Sequence, residues 1–520
     1  MAKAKFKPLY FTTTMRNPER IPKFLSCLLP FEGQILSNDL ISQIVKNVIN
    51  EKLYSTNYIS GNKYYHSVYK DEESKFNESE LDDILTNSPQ DHKEAGFDKG
   101  WASRFDTWYK ISKELGFLNY SIGSSIELTQ TGHMLVDAFK EESVNESKIQ
   151  KIFLNAMAKY QRDNPYRKVL NKNKPLILLL QVIKLLNQDK SQNGAGVFIQ
   201  EIPFFLCWQD DNYENLYKFI IKFRKEHKFQ YGSEIVYEEC LKLLQSNNRK
   251  LFKYSQICTE LVDDYIRKMR MTGVVSLRGN GRFIDINSVQ AETVEYILEN
   301  YSKYTDFTDL SSYLDYMGKI DSSLLSIDST SKIDLSSIKK KALKLYAQNN
   351  SPEFVKKELL ALSGKKESKD QFLKFISRPT RLEFLTSVAL VQMFDNLDVN
   401  PNYSVDDEGM PTFTAAGGLA DIDCFDEKTN TLFEVTLMTG RSDQINNEMI
   451  PIVRHLKEAK DLNRRPTCFS VFVAPKVHSD VFEFIDWQKF KEKLDIKAYS
   501  INDFIKSIEK VEKVIELIQN

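Results

Sequence analysis

Carboxylates resist burial unless an opposite charge meets them, and a metal ion is a common partner. The run "LADIDCFDEKTNTLFEVTLMTG", residues 419–440, places Asp421 and Glu434 inside what otherwise reads as a buried β-hairpin turning at "DEKTN". Period-two alternation sets Asp421 and Asp423 on one face and Ile422 and Cys424 on the other. Glu434 lies between Phe433 and Val435, and Thr436 shares its face. Asp421 and Glu434 are therefore expected to face each other across adjacent strands, beside the backbone carbonyl of Val435. Those oxygens suit Mg²⁺, which keeps several waters and takes one or two carboxylates plus a substrate phosphate. A metal held there polarises a phosphodiester and makes hydroxide available at neutral pH. The plain alternative is a solvated acidic edge.

Further groups are expected to converge on the same place. Glu383 sits between Leu382 and Phe384 on the apolar face of the helix "RPTRLEFLTSVALVQMF", where an unpaired carboxylate is costly. Glu448 and His455 are seven residues apart on a helix expected from about Ser442, so they share a face beside the stripe Ile445, Met449, Ile452 and Leu456. Ordinary helix surface is the alternative for both. Arg454 either holds a phosphate or is solvated.

The elements that must position these residues follow from pattern. Pro379 opens the first helix. After the hairpin come a helix, the apolar strand "CFSVFVAP", another strand at "IKAYSI" and a final helix from Asn502. Strands alternating with helices give an α/β domain with a mixed sheet, over residues 373–520. Upstream, two segments each show a helix followed by a short hairpin turning on glycine. The first starts at Trp101, recurs at Phe105, Trp108, Ile111 and Leu115, and stops at Gly116. The second starts at Tyr254, stops at Gly273 and turns at "RGNGR". That order suits a winged helix-turn-helix, in which the helix enters a groove and the wing touches phosphates, and equally a generic α+β module.

Charge tips the second segment. Arg249, Lys250, Lys253, Arg267, Lys268, Arg270, Arg278 and Arg282 stand against only Glu260, Asp263 and Asp264, a phosphate-contact pattern. Lys99 and Arg104 in the first segment are weaker candidates for DNA contact, diluted by acids. The expected organisation is an α+β multidomain chain. Residues 1–145 form a winged-helix-like module, 146–304 a second recognition region, 305–372 a serine-rich linker with some helix, and 373–520 the site-bearing domain.

Composition bounds the rest. A chain of 520 residues exceeds one ordinary core, and a net charge of -1 says nothing for or against nucleic acid. Six scattered cysteines without zinc spacing argue for reduced thiols in a cytoplasmic protein. The first residues lack the apolar core of a signal peptide, and "PLILLLQVIKLL" is too short to span a bilayer. No membrane partner is expected.

The segment from Ala415 to His455 resembles the catalytic domain of the AlwI-like type IIS restriction endonucleases and their nicking relatives. "LEFLT" at Leu382–Thr386, "RMTGVVSLRGNGRFIDIN" at Arg270–Asn287 and "RNPERI" at Arg16–Ile21 extend the likeness over nearly the whole chain. The resemblance implies a PD-(D/E)xK-type nuclease domain joined to an N-terminal recognition region of winged-helix-like modules. It implies that Asp421 is the metal-binding aspartate and Glu434 the acid that follows. Glu383 matches the upstream helical glutamate, Glu448 the acid on the next helix, and His455 the second member of an Arg–His pair. Ala420 stands where the wider pattern has proline. Thr436 stands where it has lysine, so the transition-state charge must be met by the metal or another cation.

Together these readings describe a Mg²⁺-dependent endonuclease. It would bind a short asymmetric sequence in double-stranded DNA and cut a fixed few base pairs outside it. One active site cuts one strand. Cutting both needs a transient homodimer or a small catalytic subunit, and without either the protein is a nicking enzyme. The rival from another class is a non-cleaving DNA-binding regulator, which would gain nothing from concentrating acids near phosphates. A repair or transposition nuclease is a second rival.

Overall fold

The computed structural model describes residues 5–71, 73–140, 144–194, 196–327, 333–364, 366–462 and 464–519. The chain divides into two compact units, one comprising Met1–Ser60 and Asn77–Ser331, the other Gly61–Phe76 and Lys332–Asn520.

The first unit is mainly helical. Helix Trp101–Glu114 buries Phe105, Trp108 and Ile111 as its spacing predicts, and the chain reverses at Gly116. The strands β1 (Leu118–Asn119) and β2 (Glu127–Leu128) then pair antiparallel and lead into helix Gln130–Lys140. Apolar helices fill the middle of the unit, among them Pro175–Gln188, whose Leu176, Leu179, Leu180 and Leu186 are fully enclosed. In the second helix–hairpin segment a π-helical turn, Gln256–Glu260, runs into helix Leu261–Met271. Three strands follow the order β3-β5-β4, with β3 at Val197–Phe198, β4 at Val275–Arg278 and β5 at Phe283–Ile286. The turn between β4 and β5 holds Gly279, Asn280 and Gly281 all at positive φ, a left-handed run that side chains with a Cβ rarely sustain.

The stretch expected as a linker is largely helical and is shared between the units. Helix Leu310–Met317 belongs to the first, where Tyr313 and Met317 are fully buried. Helices Leu335–Asn349 and Pro352–Ser363 belong to the second. Sparse apolar residues suffice there because each helix buries one narrow stripe, Leu343 and Tyr346 in one and Val355, Leu359 and Leu362 in the other.

The second unit carries a mixed five-stranded sheet ordered β12-β11-β10-β9-β6, plus the antiparallel pair β7 (Tyr403–Val405) and β8 (Pro411–Ala415). Its strands are β6 (Asp398–Pro401), β9 (Ile422–Phe425), β10 (Thr429–Val435), β11 (Thr467–Ala474) and β12 (Ile496–Ser500). β10 pairs antiparallel with β9 and parallel with β11, and β11 pairs parallel with β12. The parallel strands β10 and β11 are buried nearly throughout, as strands covered on both faces must be. Leu432, Phe472 and Ile496 pack with Met449, Ile452, Leu456, Val481 and Ile485, so helices Ile450–Asp461 and Ser479–Glu492 cover that face. Among the described residues no helix is long and apolar enough to cross a membrane. Among the described residues no cysteine is in a disulfide.

Candidate active site

The hairpin forms where the alternation puts it. Asp426 makes the turn, its Oδ1 accepting the backbone N–H groups of Lys428 and Thr429 at 2.7 and 2.6 Å. Phe433 lies opposite Ile422 and Leu432 opposite Asp423, so the same register carried one residue further sets Glu434 opposite Asp421. Glu434 shares the face of Leu432, the one covered by helix Ile450–Asp461. That places the carboxylate against His455, whose Nδ1 lies 2.8 Å from Glu434 Oε1. Both groups are buried, at 5% and 8% exposure. The Asp421 Oδ2 accepts the N–H of Val435 at 2.7 Å. Val435 thus engages Asp421 through its N–H, whereas the sequence pointed to its carbonyl.

Electrostatics show how closely the acids are drawn together. Burial raises Asp421 well above the ordinary carboxylate range, and the Glu434 charge raises it further. Burial does the same to Glu434, with Glu448 and Asp423 adding to it. Glu448 is pushed up to about 8 by burial, against the hydrogen bond it takes from Thr436, with Asp421 pushing the same way. His455 is lowered by burial and by the Arg454 guanidinium, which lies 3.5 Å from its Nε2. The His455–Glu434 contact is therefore a short hydrogen bond between two groups both driven toward neutrality.

This is a carboxylate cluster short of positive charge, and its donor set fits a hard divalent cation with Asp421 and Glu434 as the facing pair. Among the described residues no three His, Cys, Asp or Glu side chains converge as a ready-made metal shell. Two carboxylates with the remaining positions left to water and phosphate are what Mg²⁺ ordinarily accepts.

Glu383 meets the end of β8. It is buried on helix Arg378–Met393, and its Oε2 accepts the N–H of Ala415 at 3.0 Å at the end of β8. Its charge offsets the burial that lowers Lys339, an amine donating to the Tyr403 carbonyl at 3.0 Å. Two participants escaped the sequence reading. Asn402 donates to Asp423 Oδ2 at 3.0 Å and to the Ala420 carbonyl at 2.7 Å, fixing the start of β9. The helix after the hairpin opens as a π-turn, Asp443–Met449, the kind of widened helix that recurs at functional sites. Gln444 within it is fully buried and bonds the Met438 and Lys476 carbonyls and the His478 N–H. A lone Gln in an apolar stripe was the available signal.

The basic residues of the first unit are dispersed. Lys268 is fully buried against Asp264 and donates to the Met15 carbonyl at 3.1 Å, which keeps it from a duplex. Arg267 donates to Asn17 at 2.7 Å, and Arg278 lies 3.0 Å from Asp285. Arg249 pairs with Glu238 at 2.6 Å, Lys99 with Asp91 at 3.1 Å, and Arg104 donates to Gln90 at 2.9 Å. Arg270 is half-buried, whereas Lys250, Lys253 and Arg282 are exposed.

Comparison with known proteins adds to this geometry. Among solved structures, the small subunit of the heterodimeric restriction endonuclease R.BspD6I aligns at 21% identity over 30% of this chain and 77% of its own, with a TM-score of 0.25. Restriction endonuclease FokI aligns at 11% identity over 99% of this chain and 97% of its own, TM-score 0.27. FokI bound to DNA gives 10% identity, the same coverage and a TM-score of 0.26. A search of curated protein sequences gives no match. The profile of the AlwI restriction endonuclease family matches residues 113–351 and 327–506. With most of its length matched, the chain belongs to the AlwI restriction endonuclease family, a family of site-specific DNA-cleaving enzymes.

Proposed function

We propose that the protein is a Mg²⁺-dependent type IIS restriction endonuclease, its first unit binding a short asymmetric duplex sequence and its second hydrolysing a phosphodiester at a fixed offset outside it. The observation that carries this reading is the cluster Asp421, Glu434 and Glu448, the second buried and the other two half-buried, mutually repelling beside a mixed sheet, in a restriction endonuclease chain. Asp421 and Glu434 would hold the metal. When bound, Mg²⁺ meets the charge that develops on the phosphate and lowers the pKa of its water. His455 fixes the rotamer of Glu434 through its Nδ1. Glu448, half-buried and tied to Thr436, orients the attacking water and takes its proton. The helix–hairpin Leu261–Ile286 serves as a winged-helix-like contact, with Arg282 and the glycine turn at the wing tip.

One carboxylate cluster of this kind cuts one strand. Double-strand cleavage needs a second catalytic domain, from another copy or a small subunit, and a strand-specific nicking enzyme is the alternative where neither is supplied.

The test is a supercoiled plasmid digest with Mg²⁺ and with EDTA, followed by end mapping. Linear product at a fixed offset from one short sequence supports the type IIS reading. Open circles with one strand's offset fixed support nicking. No Mg²⁺-dependent cutting of sequence-rich DNA overturns both and favours a non-cleaving DNA-binding protein.

A further inference from the structure

The first unit contains a cavity of about 460 Å³ bounded by the run Lys5–Tyr10, by Tyr166–Val169 and by Leu251, Phe252 and Gln256. Among the described residues six cations line it, Lys5, Lys7, Lys110, Arg162, Arg167 and Lys168, and no carboxylate does. Acids and bases are equally common in this chain, 72 against 71, so an all-cation lining is a local excess and not composition. Two of the six are compensated. Arg167 pairs with the buried Glu114 at 2.7 Å, and Lys110 pairs with Glu94 at 3.0 Å.

Arg162 differs. It is 2% exposed, and its guanidinium donates to two backbone carbonyls, Trp208 at 3.1 Å and Lys7. Burial brings it down to about 10. Its second bond fixes the run that carries Lys5 and Lys7. That run is further pinned where the Lys7 N–H donates to Asn171 at 3.0 Å, the Leu9 N–H to the Leu206 carbonyl at 2.7 Å, and the Leu170 N–H to the Lys5 carbonyl at 3.2 Å. Lys5, Lys7 and Lys168 stand exposed around the opening, while Phe6, Tyr10, Tyr166 and Phe252 supply aromatic wall. Lys250 and Lys253, both exposed, flank Leu251 and Phe252 in sequence. Fixed backbone, surplus positive charge and aromatic faces are the chemistry of a nucleic-acid backbone contact.

We propose that this cavity is a phosphate-binding site of the DNA-recognition unit, with Lys5, Lys7 and Lys168 contacting the sugar-phosphate backbone of the bound duplex and Arg162 acting as the positioning residue for Lys5 and Lys7. It rests on the proposed function above and names where the duplex is gripped. Phosphate contacts set affinity and register and carry no sequence information. Weakening them therefore lowers affinity for every duplex alike.

The experiment uses the full chain in EDTA, so that DNA is bound and not cut. Fluorescence anisotropy gives Kd between about 50 and 200 mM KCl for a duplex carrying the mapped site and for one lacking it. For Lys7→Ala/Lys168→Ala the slope of log K against log salt becomes shallower by about 1.8, and binding weakens about tenfold on both duplexes. The cleavage position in Mg²⁺ stays the same. Lys218→Ala/Lys222→Ala, on helix Tyr213–His227 and already matched by Glu214 and Glu226, leaves the slope unaltered. If wild-type protein binds duplex and the Lys7/Lys168 variant keeps its slope, this site is overturned while the nuclease reading stands. If wild-type protein binds neither duplex, this site is overturned, and the nuclease reading stands or falls on the plasmid digest alone.

Discussion

The two units handle buried charge in different ways. In the second unit the uncompensated groups are acids gathered in one place: Asp421, Glu434 and Glu448 push one another up, and among the described residues only His455 and Thr436 bond them from nearby side chains. In the first unit they are cations spread out and satisfied one at a time by carbonyl oxygens. Lys174 donates to Tyr301 at 2.7 Å, Lys159 to Tyr316 and Lys319 at 3.0 and 2.6 Å, and Arg162 to Trp208 and Lys7. The same unit also holds matched pairs, Arg224 with Glu201 and Lys268 with Asp264. A buried charge that meets its opposite, or a carbonyl, ties segments of the fold together. Like charges crowded together repel, and groups perturbed in this way cluster at functional sites, which is why the proposed function rests on them.

The largest effect should come from breaking the crowd. Asp421→Asn is expected to lower cleavage by about 10⁴-fold or more while duplex binding in EDTA is retained. The metal-free variant should also melt higher than wild type, because one of the repelling charges is gone. Single-turnover plasmid assays and a thermal melt read the two together. An Asp421→Asn protein that cuts at the wild-type rate would remove the distinction between the crowded acids and ordinary buried ones.

Next in size is the contrast inside the first unit. Arg224 bonds both Glu201 oxygens at 2.7 Å, and Glu201 also accepts from Tyr231 at 2.6 Å. Arg224→Met strands a buried carboxylate and should cost roughly 3–5 kcal/mol. Arg162→Met strands only carbonyls and should cost about 1–3 kcal/mol. Denaturant midpoints of the two variants decide it, and equal losses would mean that a carbonyl-held arginine is as firmly compensated as an ion-paired one.

How much of this was legible in the sequence follows from range. The hairpin was, because strand period two is local: Ile422 and Cys424 are fully buried while Asp421 and Asp423 share the other face. The mixed sheet and its covering helices were legible for the same reason. The role of Lys268 was not read, since a basic run does not say which side chain turns inward. Asp264, four residues before it on the stripe of Leu261, Tyr265 and Met269, was the clue to a buried pair. Glu383 was placed on its apolar helix face correctly, but its partner Ala415 is distant in the chain and set by the β7–β8 pair, which pattern alone did not reveal. The place of the stretch Lys5–Tyr10 was not legible, because its meaning lies in contacts with residues 162–171 that no local pattern encodes.

A smaller effect should come from the group that orients one acid. His455→Ala removes the bond to Glu434 and should lower the cleavage rate roughly 10–100-fold, with a higher Mg²⁺ requirement. His455→Gln, whose amide can donate to the same oxygen, should recover part of the loss. Equal defects in the two variants would show that His455 acts through something other than that hydrogen bond.

The smallest effect tests the carbonyl-held cations by pH. Burial brings Lys174 to about 7, against roughly 10.4 in the unfolded chain. Between those values the unfolded chain binds a proton that the folded protein has released, so stability rises with pH, and the cost of burial is fully present below 7. Lys159, at about 8, adds a slope of the same sign, whereas the raised acids give the opposite one, since each keeps a proton in the fold that the unfolded chain has lost. Comparing wild type with Lys174→Met cancels all of those, because they are common to both proteins. The bond lost at the Tyr301 carbonyl is a constant offset and drops out as well. The stability difference between the two proteins should therefore move in favour of wild type by about 1 kcal/mol per pH unit from pH 7 to 9. A difference that stays flat would mean that the Tyr301 carbonyl keeps the ammonium charged in the folded state. The dispersed cations would then be stable charges, and the contrast with the crowded acids would rest on geometry alone.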